Sequence, residues 1–177
     1  PINKDNANAG AKLAFGSAVN TVWQFEKAER ILTLDADIFG GQNVRYMKDF
    51  AKGRKVSEEK EGMNRLYAVE TTLSLTGAKA DHRLGIKPSE MLEVAKAIAK
   101  AVGVGGANST YSNQWVEVMA KDLLEHKGKS LVIAGDNQSP VVHALAHAIN
   151  ATLGNIGQTI TYTDSFSPNT EKTQVEG

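Results

Sequence analysis

Ser130-Leu-Val-Ile-Ala-Gly-Asp-Asn-Gln-Ser-Pro-Val-Val-His143 is the stretch on which the fold turns. Leu131–Ala134 is a short apolar run rich in branched residues, which suits a strand buried on both faces. Gly135-Asp136-Asn137-Gln138 breaks the run with turn residues. Ser139 can cap the helix that follows, and Pro140 fits its first position, where a missing N–H costs nothing. Val141, Val142, Leu145, Ala148, Ile149 and Leu153 then recur at helical spacing. Gly154 stops the helix, and Asn155-Ile156-Gly157 turns the chain into a second apolar run, Thr159–Tyr162. Strand, tight turn, helix and strand in that order form the unit that builds a parallel sheet.

The upstream chain repeats the alternation. Ile31–Asp35 and Arg65–Glu70 read as buried strands. Asn43–Lys52 reads as a helix burying Val44, Met47, Phe50 and Ala51. Thr71–Gly85 reads as a polar loop. A long helix opens at Pro88, with Met91, Leu92, Ala95, Ile98, Ala99 and Val102 on one face. Another spans Gln114–His126 and buries Trp115, Val118, Met119 and Leu123. Residues 1–11 are polar and rich in Asn, Ala and Gly, and read as a loosely ordered lead-in. Residues 12–24 leave two readings open: Leu13, Ala14, Ala18 and Val22 fit a helical stripe that Gly16 weakens, and Val19–Trp23 fits an extended segment. The charged stretch Gly53–Gly62 reads as a solvated loop. The expected architecture is α/β, a three-layer sandwich around a mainly parallel, Rossmann-like sheet, as a single domain over residues 1–177.

Composition narrows the function. Twenty basic residues balance 20 acidic ones, so no global field draws the chain to nucleic acid or to an anionic membrane. No apolar run approaches the roughly 20 residues of a membrane helix, so direct membrane insertion is not expected. Cysteine is absent, which excludes disulfides, thiolate catalysis and cysteine-ligated iron–sulfur clusters within this chain.

Several residue groups bear on chemistry. Gly135, Asp136, Asn137, Gln138 and Ser139 lie at the carboxyl end of a central strand and at a helix N-terminus. Open α/β sheets bind ligands at such places, so these five are the candidate cofactor-binding residues. Asp136 would repel a phosphate but could accept from a ribose, an amine or a pterin. Asp35, Asp37, Glu70 and Asp81 fall at or just beyond strand ends. There they could act as acid and base or hold Mg²⁺, or they could simply bond loop amides. His143 and His147 sit four apart, a spacing that can hold zinc, but no third ligand is evident and no metal site is assigned. Gly103-Val-Gly-Gly follows a helix rather than a strand, which makes it a helix stop and not a phosphate loop. No nucleophile–base signature is recognisable, so no catalytic residue is assigned.

Taken as an ordered set, Leu34-Asp-Ala-Asp-Ile-Phe-Gly, Asn64-Arg-Leu-Tyr-Ala-Val-Glu, Leu75-Thr-Gly-Ala-Lys-Ala-Asp-His-Arg-Leu, Val142-His-Ala-Leu-Ala-His-Ala-Ile-Asn and Leu153-Gly-Asn-Ile-Gly resemble a molybdopterin-oxidoreductase-type domain. The resemblance is closest to the iron–sulfur subunit of bacterial alternative complex III. It spans roughly residues 28–164. It implies a respiratory, quinol-oxidising electron-transfer complex on the periplasmic side of a bacterial membrane, with the other subunits as partners. It also implies that this chain is part of a longer polypeptide whose iron–sulfur clusters lie elsewhere. After Gly157 the chain runs Gln-Thr-Ile-Thr-Tyr, where the family has glycines. Glycine lets backbone approach a ligand closely, and Thr and Ile do not. The expectation is a scaffold domain without bound metal or cofactor, inactive alone. The alternative is an independent small-molecule enzyme, binding a nucleotide or pterin in the crevice near Asp136.

Overall fold

The structure, a computed structural model, describes residues 5–40, 44–56 and 62–164. The strands β2 (Arg30–Leu34), β3 (Arg65–Glu70), β4 (His82–Gly85) and β5 (Ser130–Ala134) form an all-parallel sheet in the order β4-β3-β2-β5. Leu32 is in register with Tyr67 on one side and with Val132 on the other. The fold is α/β with three layers, as the alternation of runs predicts.

Strand side chains divide by parity. Leu32, Leu34, Tyr67, Val69 and Val132 face α4 (Met91–Ala101), α5 (Gln114–Glu125) and α6 (Pro140–Thr152). Ile31, Leu66, Leu131 and Ile133 face the other way, onto Phe25, Phe50 of α2 (Val44–Arg54) and Ile160. Period-2 alternation with both faces apolar is what a doubly covered parallel strand requires. Each fully buried Leu or Ile on these faces stabilises the fold by about 1.5–3 kcal/mol.

The path reverses once. The chain steps outward from β2 through α2 to β3 and β4, then returns by α4 and α5 to place β5 on the far side of β2. Right-handed crossovers running in opposite directions put their helices on opposite faces, which is the observed arrangement. The reversal makes a crevice at the carboxyl ends of β2 and β5.

Four local readings are corrected. The run Thr159–Tyr162 does form a strand, β6 (Ile160–Asp164), but it does not join the parallel sheet. It pairs antiparallel with β1 (Val19–Trp23), Trp23 opposite Ile160, as a separate ribbon. The loop read at Thr71–Gly85 contains α3 (Leu75–Lys79) and the edge strand β4. The β4 pattern was masked because an edge strand keeps His82 and Arg83 exposed.

The described part of the lead-in belongs to α1 (Asp5–Phe15), which lies on α6, and residues 1–4 lie outside the described residues. Gly10 makes that contact: a Cβ there would stand 2.4 Å from His143 Cβ and 2.7 Å from the Pro140 carbonyl oxygen. Tertiary packing, not propensity, makes this helix. Finally, the buried stripe of α5 is Val116, Met119, Ala120 and Leu123, leaving Val118 61% exposed. Val44 and Val141 are likewise exposed and Ala51 faces solvent, because Phe50 and Val142 take the inward positions. Part of the charge run, 57–61, and Asn43 lie outside the described residues.

The free side of β5 is closed by side chains. The fully buried Asn150 of α6 accepts from Val132 N–H at 3.0 Å and donates to Val132 C=O at 2.7 Å and Ala146 C=O at 3.0 Å. Asn155 Nδ2 donates to Asn150 Oδ1 at 2.9 Å, and Thr159 Oγ1 donates to the Ser130 carbonyl. One amide thus imitates a neighbouring strand at a buried edge, where unpaired backbone would be costly.

Candidate functional site

The candidate residues Gly135–Ser139 sit where the sheet reverses, as the strand–turn–helix reading places them. Gly135 is required by close approach: its N–H donates to Leu34 C=O at 2.9 Å, and a Cβ would fall 2.0 Å from the Asp35 carbonyl oxygen. Gln138 N–H closes the turn on Gly135 C=O at 2.9 Å. Asp136, Asn137 and Ser139 are exposed. Ser139 occupies the cap position of α6, but only its carbonyl takes part, accepting from Val142 and His143; its side chain makes no cap bond. The expected side-chain cap is therefore corrected: with Pro140 at the first turn and the Ser139 carbonyl engaged, the hydroxyl is left to solvent.

Asp35 is the structural centre of the crevice. It is the non-glycine residue with positive φ among the described residues, at +55°. That turn of the backbone brings its carboxylate across the strand ends. Oδ1 accepts from Thr71 N–H at 2.9 Å, and Oδ2 accepts from Gln138 Nε2 at 2.8 Å. The side chain of Gln138 therefore bridges the gap between β5 and β2 in which a ligand would lie.

The neighbouring carboxylates are engaged in the same way. Asp37 accepts from Thr76 Oγ1 at 2.7 Å and Thr76 N–H at 3.2 Å. Burial disfavours its charge, but these bonds and backbone amides outweigh that and hold its pKa below the ordinary value. Glu70 accepts from Ser74 Oγ at 2.7 Å and pairs with Arg83. A Cβ at position 77 would run into the Glu70 carboxylate, which would have to shift away from its Ser74 and Arg83 partners. Asp81 is not part of this group. It precedes β4 at the amino edge, accepting from Leu66 N–H at 2.8 Å and Arg54 at 2.9 Å. Burial opposes its charge, yet Arg54 and the Leu66 amide pull its pKa down.

Two constellations escaped the sequence reading. At the amino edge, Asp122 Oδ2 accepts from Tyr67 Oη at 2.6 Å, Arg30 Nε at 2.7 Å and Arg65 Nη1 at 2.9 Å. Residues 92, 57 and 55 positions apart meet on one oxygen, which spacing alone does not reveal. The second lies beneath α1, between α6, the end of β5 and the ribbon. It is a cavity of about 120 Å³ reached by Asn8, Thr21, Trp23, Asp136, His143 and His147. His147 Nδ1 lies 2.9 Å from Tyr162 Oη, and Phe15 packs tilted against both rings. Burial, with the nearby His143, holds the His147 pKa down at about 4, and burial raises that of Tyr162. The histidine pair thus shares a face, as its spacing predicts, but Tyr162 takes one imidazole. Among the described residues no group of three or more His, Cys, Asp or Glu is placed to hold a metal ion.

The site and fold define an open α/β protein with a self-bridged switch point. No protein-family model and no curated protein matches this chain. Among the described residues, no helix is long and apolar enough to cross a membrane.

Proposed function

We propose that this chain is the α/β scaffold domain of a molybdopterin-oxidoreductase-like iron–sulfur subunit, working in a respiratory quinol-oxidising complex. It holds neighbouring parts in place and carries no cofactor itself. The ordered motifs between residues 28 and 164 supply the family. The observation that carries the scaffold role is the state of the carboxyl edge. Asp35, Asp37 and Glu70 are each engaged by Thr71 and Gln138, by Thr76, and by Ser74 and Arg83. Catalytic carboxylates need an unoccupied face toward substrate, whereas these tie loops to strand ends. The rival nucleotide or pterin reading meets a bridged crevice. The adjoining cavity of about 120 Å³ is also small beside the roughly 300–1,000 Å³ of ordinary cofactor pockets.

The test is made in the full reading frame, purified with its membrane partners. Asp35→Ala should reduce the amount of assembled complex while leaving quinol-to-cytochrome turnover per assembled complex unchanged. Intact assembly with lost turnover would place Asp35 in the chemistry and defeat the scaffold reading. Absence of a cysteine-rich portion from the reading frame would defeat the family assignment.

A further inference from the structure

The amino edge of the sheet holds more positive charge than it pairs. Arg30 and Arg65 stand side by side in register on β2 and β3, and both donate to the same oxygen of Asp122. Burial opposes the charge of Asp122, but the bonds from Tyr67 and Arg30 and the charges of Arg30 and Arg65 outweigh it and keep the carboxylate ionised. One carboxylate thus serves two guanidiniums. The flanking acids do not supply a second, since Asp81 is engaged by Arg54 at 2.9 Å and Glu29 by Lys129 at 2.8 Å. Among the described residues Arg65 donates only through Nη1, to Asp122 and Tyr67, which leaves its Nε and Nη2 donors unused. Arg65 is also the accessible member of the pair, its side chain 43% exposed against 14% for Arg30.

Both arginines line a groove of about 620 Å³ at the amino ends of β2, β3 and β4, a size within the roughly 300–1,000 Å³ of ligand pockets. His82 lines it too. One face of its imidazole stacks on Tyr67, with centroids 5.1 Å apart and planes 20° from parallel, and the residue is otherwise exposed. The arginine pair calls for one further negative charge, and a carboxylate fits the guanidinium fork through two parallel bonds. Glu29 and Asp81, which line the same groove, set the limit: a dianionic phosphate would exceed the unpaired charge and be repelled by both. The open face of His82 offers a stacking surface for a planar ring. We propose that this groove binds a small aromatic monocarboxylate, its carboxylate on the outer edge of Arg65 with Arg30 behind, and its ring on His82. This goes beyond the scaffold role and does not depend on it.

The probe is sodium benzoate, titrated into the full chain at constant ionic strength and followed by calorimetry and by the Arg65 Nε–H and His82 ring resonances. For so small a ligand, saturable 1:1 binding with a dissociation constant on the order of a millimolar is expected, with the His82 ring protons moving upfield beneath the benzoate ring. Arg65→Gln leaves Asp122 with Arg30 and Tyr67 and should weaken binding about tenfold or more. Arg65→Lys keeps the charge without the fork and should fall between the two. His82→Ala should weaken benzoate while leaving the weaker binding of acetate unchanged. If Arg65→Gln fails to fold, Arg65→Lys, His82→Ala and the resonances carry the test. Benzamide, which has the shape without the charge, and benzylammonium, which has the wrong sign, should not compete. No saturable binding, unchanged affinity in Arg65→Gln, equal binding of benzamide, or inorganic phosphate binding as tightly as benzoate would overturn the proposal.

Discussion

Replacing Asn150 tests how the sheet ends. Its side chain makes four hydrogen bonds at a fully buried position: two to Val132, one to Ala146 and one from Asn155. In Asn150→Leu the branched shape and heavy-atom count are kept and the bonds are lost. Val132 N–H and C=O are then buried without partners, at about 1–3 kcal/mol each. The Ala146 carbonyl loses least, because a helix carbonyl keeps its backbone partner. The expected loss is about 3–5 kcal/mol, set against a total stability of about 5–15 kcal/mol for an ordinary domain. Asn150→Ala adds a cavity and should be worse by about 1–2 kcal/mol. Urea unfolding with linear extrapolation measures both, and an unchanged slope would show that the folded state survives. A loss below about 0.5 kcal/mol in Asn150→Leu, the range of ordinary surface changes, would refute the claim that this amide closes the edge of β5.

Two further outcomes follow from other contacts. Gly135→Ala places a methyl 2.0 Å from the Asp35 carbonyl oxygen and should lower stability by about 2 kcal/mol or more through overpacking; a thermal midpoint within a degree or so of wild type would contradict it. His147 titrates near 6.5 when unfolded but at about 4 when folded, so between those values the unfolded chain binds the extra proton. Stability therefore rises with pH across that window and is lost as pH falls through it, by about 1.4 kcal/mol per unit at most. His147→Phe should flatten the slope between pH 7 and pH 4.5 in urea titrations, and an unaltered slope would clear His147 of the effect.

The parallel strands and the turn at Gly135 were legible because both signals are local. A branched apolar run and a Gly-Asp-Asn cluster before Pro140 report short-range sterics. Asn150 was not legible, since a lone Asn within a helical stripe gives no sign that it faces a strand edge. Asp35, Asp37 and Glu70 were correctly placed at the carboxyl edge. Whether they were free or engaged depended on Thr71, Thr76 and Gln138, which only the sheet order brings near. Asp81 was misplaced because β4, with exposed His82 and Arg83, looked like loop. The cavity was invisible for a similar reason. Its roof is α1, whose polar Asn-Ala-Gly composition becomes helical by leaning on α6 at Gly10.

The β1–β6 ribbon carries a consequence for timing. Val19 and Asp164 stand near opposite ends of the described chain, yet they are partners. A two-stranded ribbon is marginal by itself, and joining segments so far apart is entropically unfavourable until the intervening chain is compact. The ribbon is thus a clasp, fastened after β2 has met β5 and the first part to loosen in the native state. Val19, Thr21, Trp23 and Ile160 also wall the cavity under α1, so that side of the cavity loosens at the rhythm of that clasp. Amide exchange at Thr21 and Tyr162 would keep the same clock.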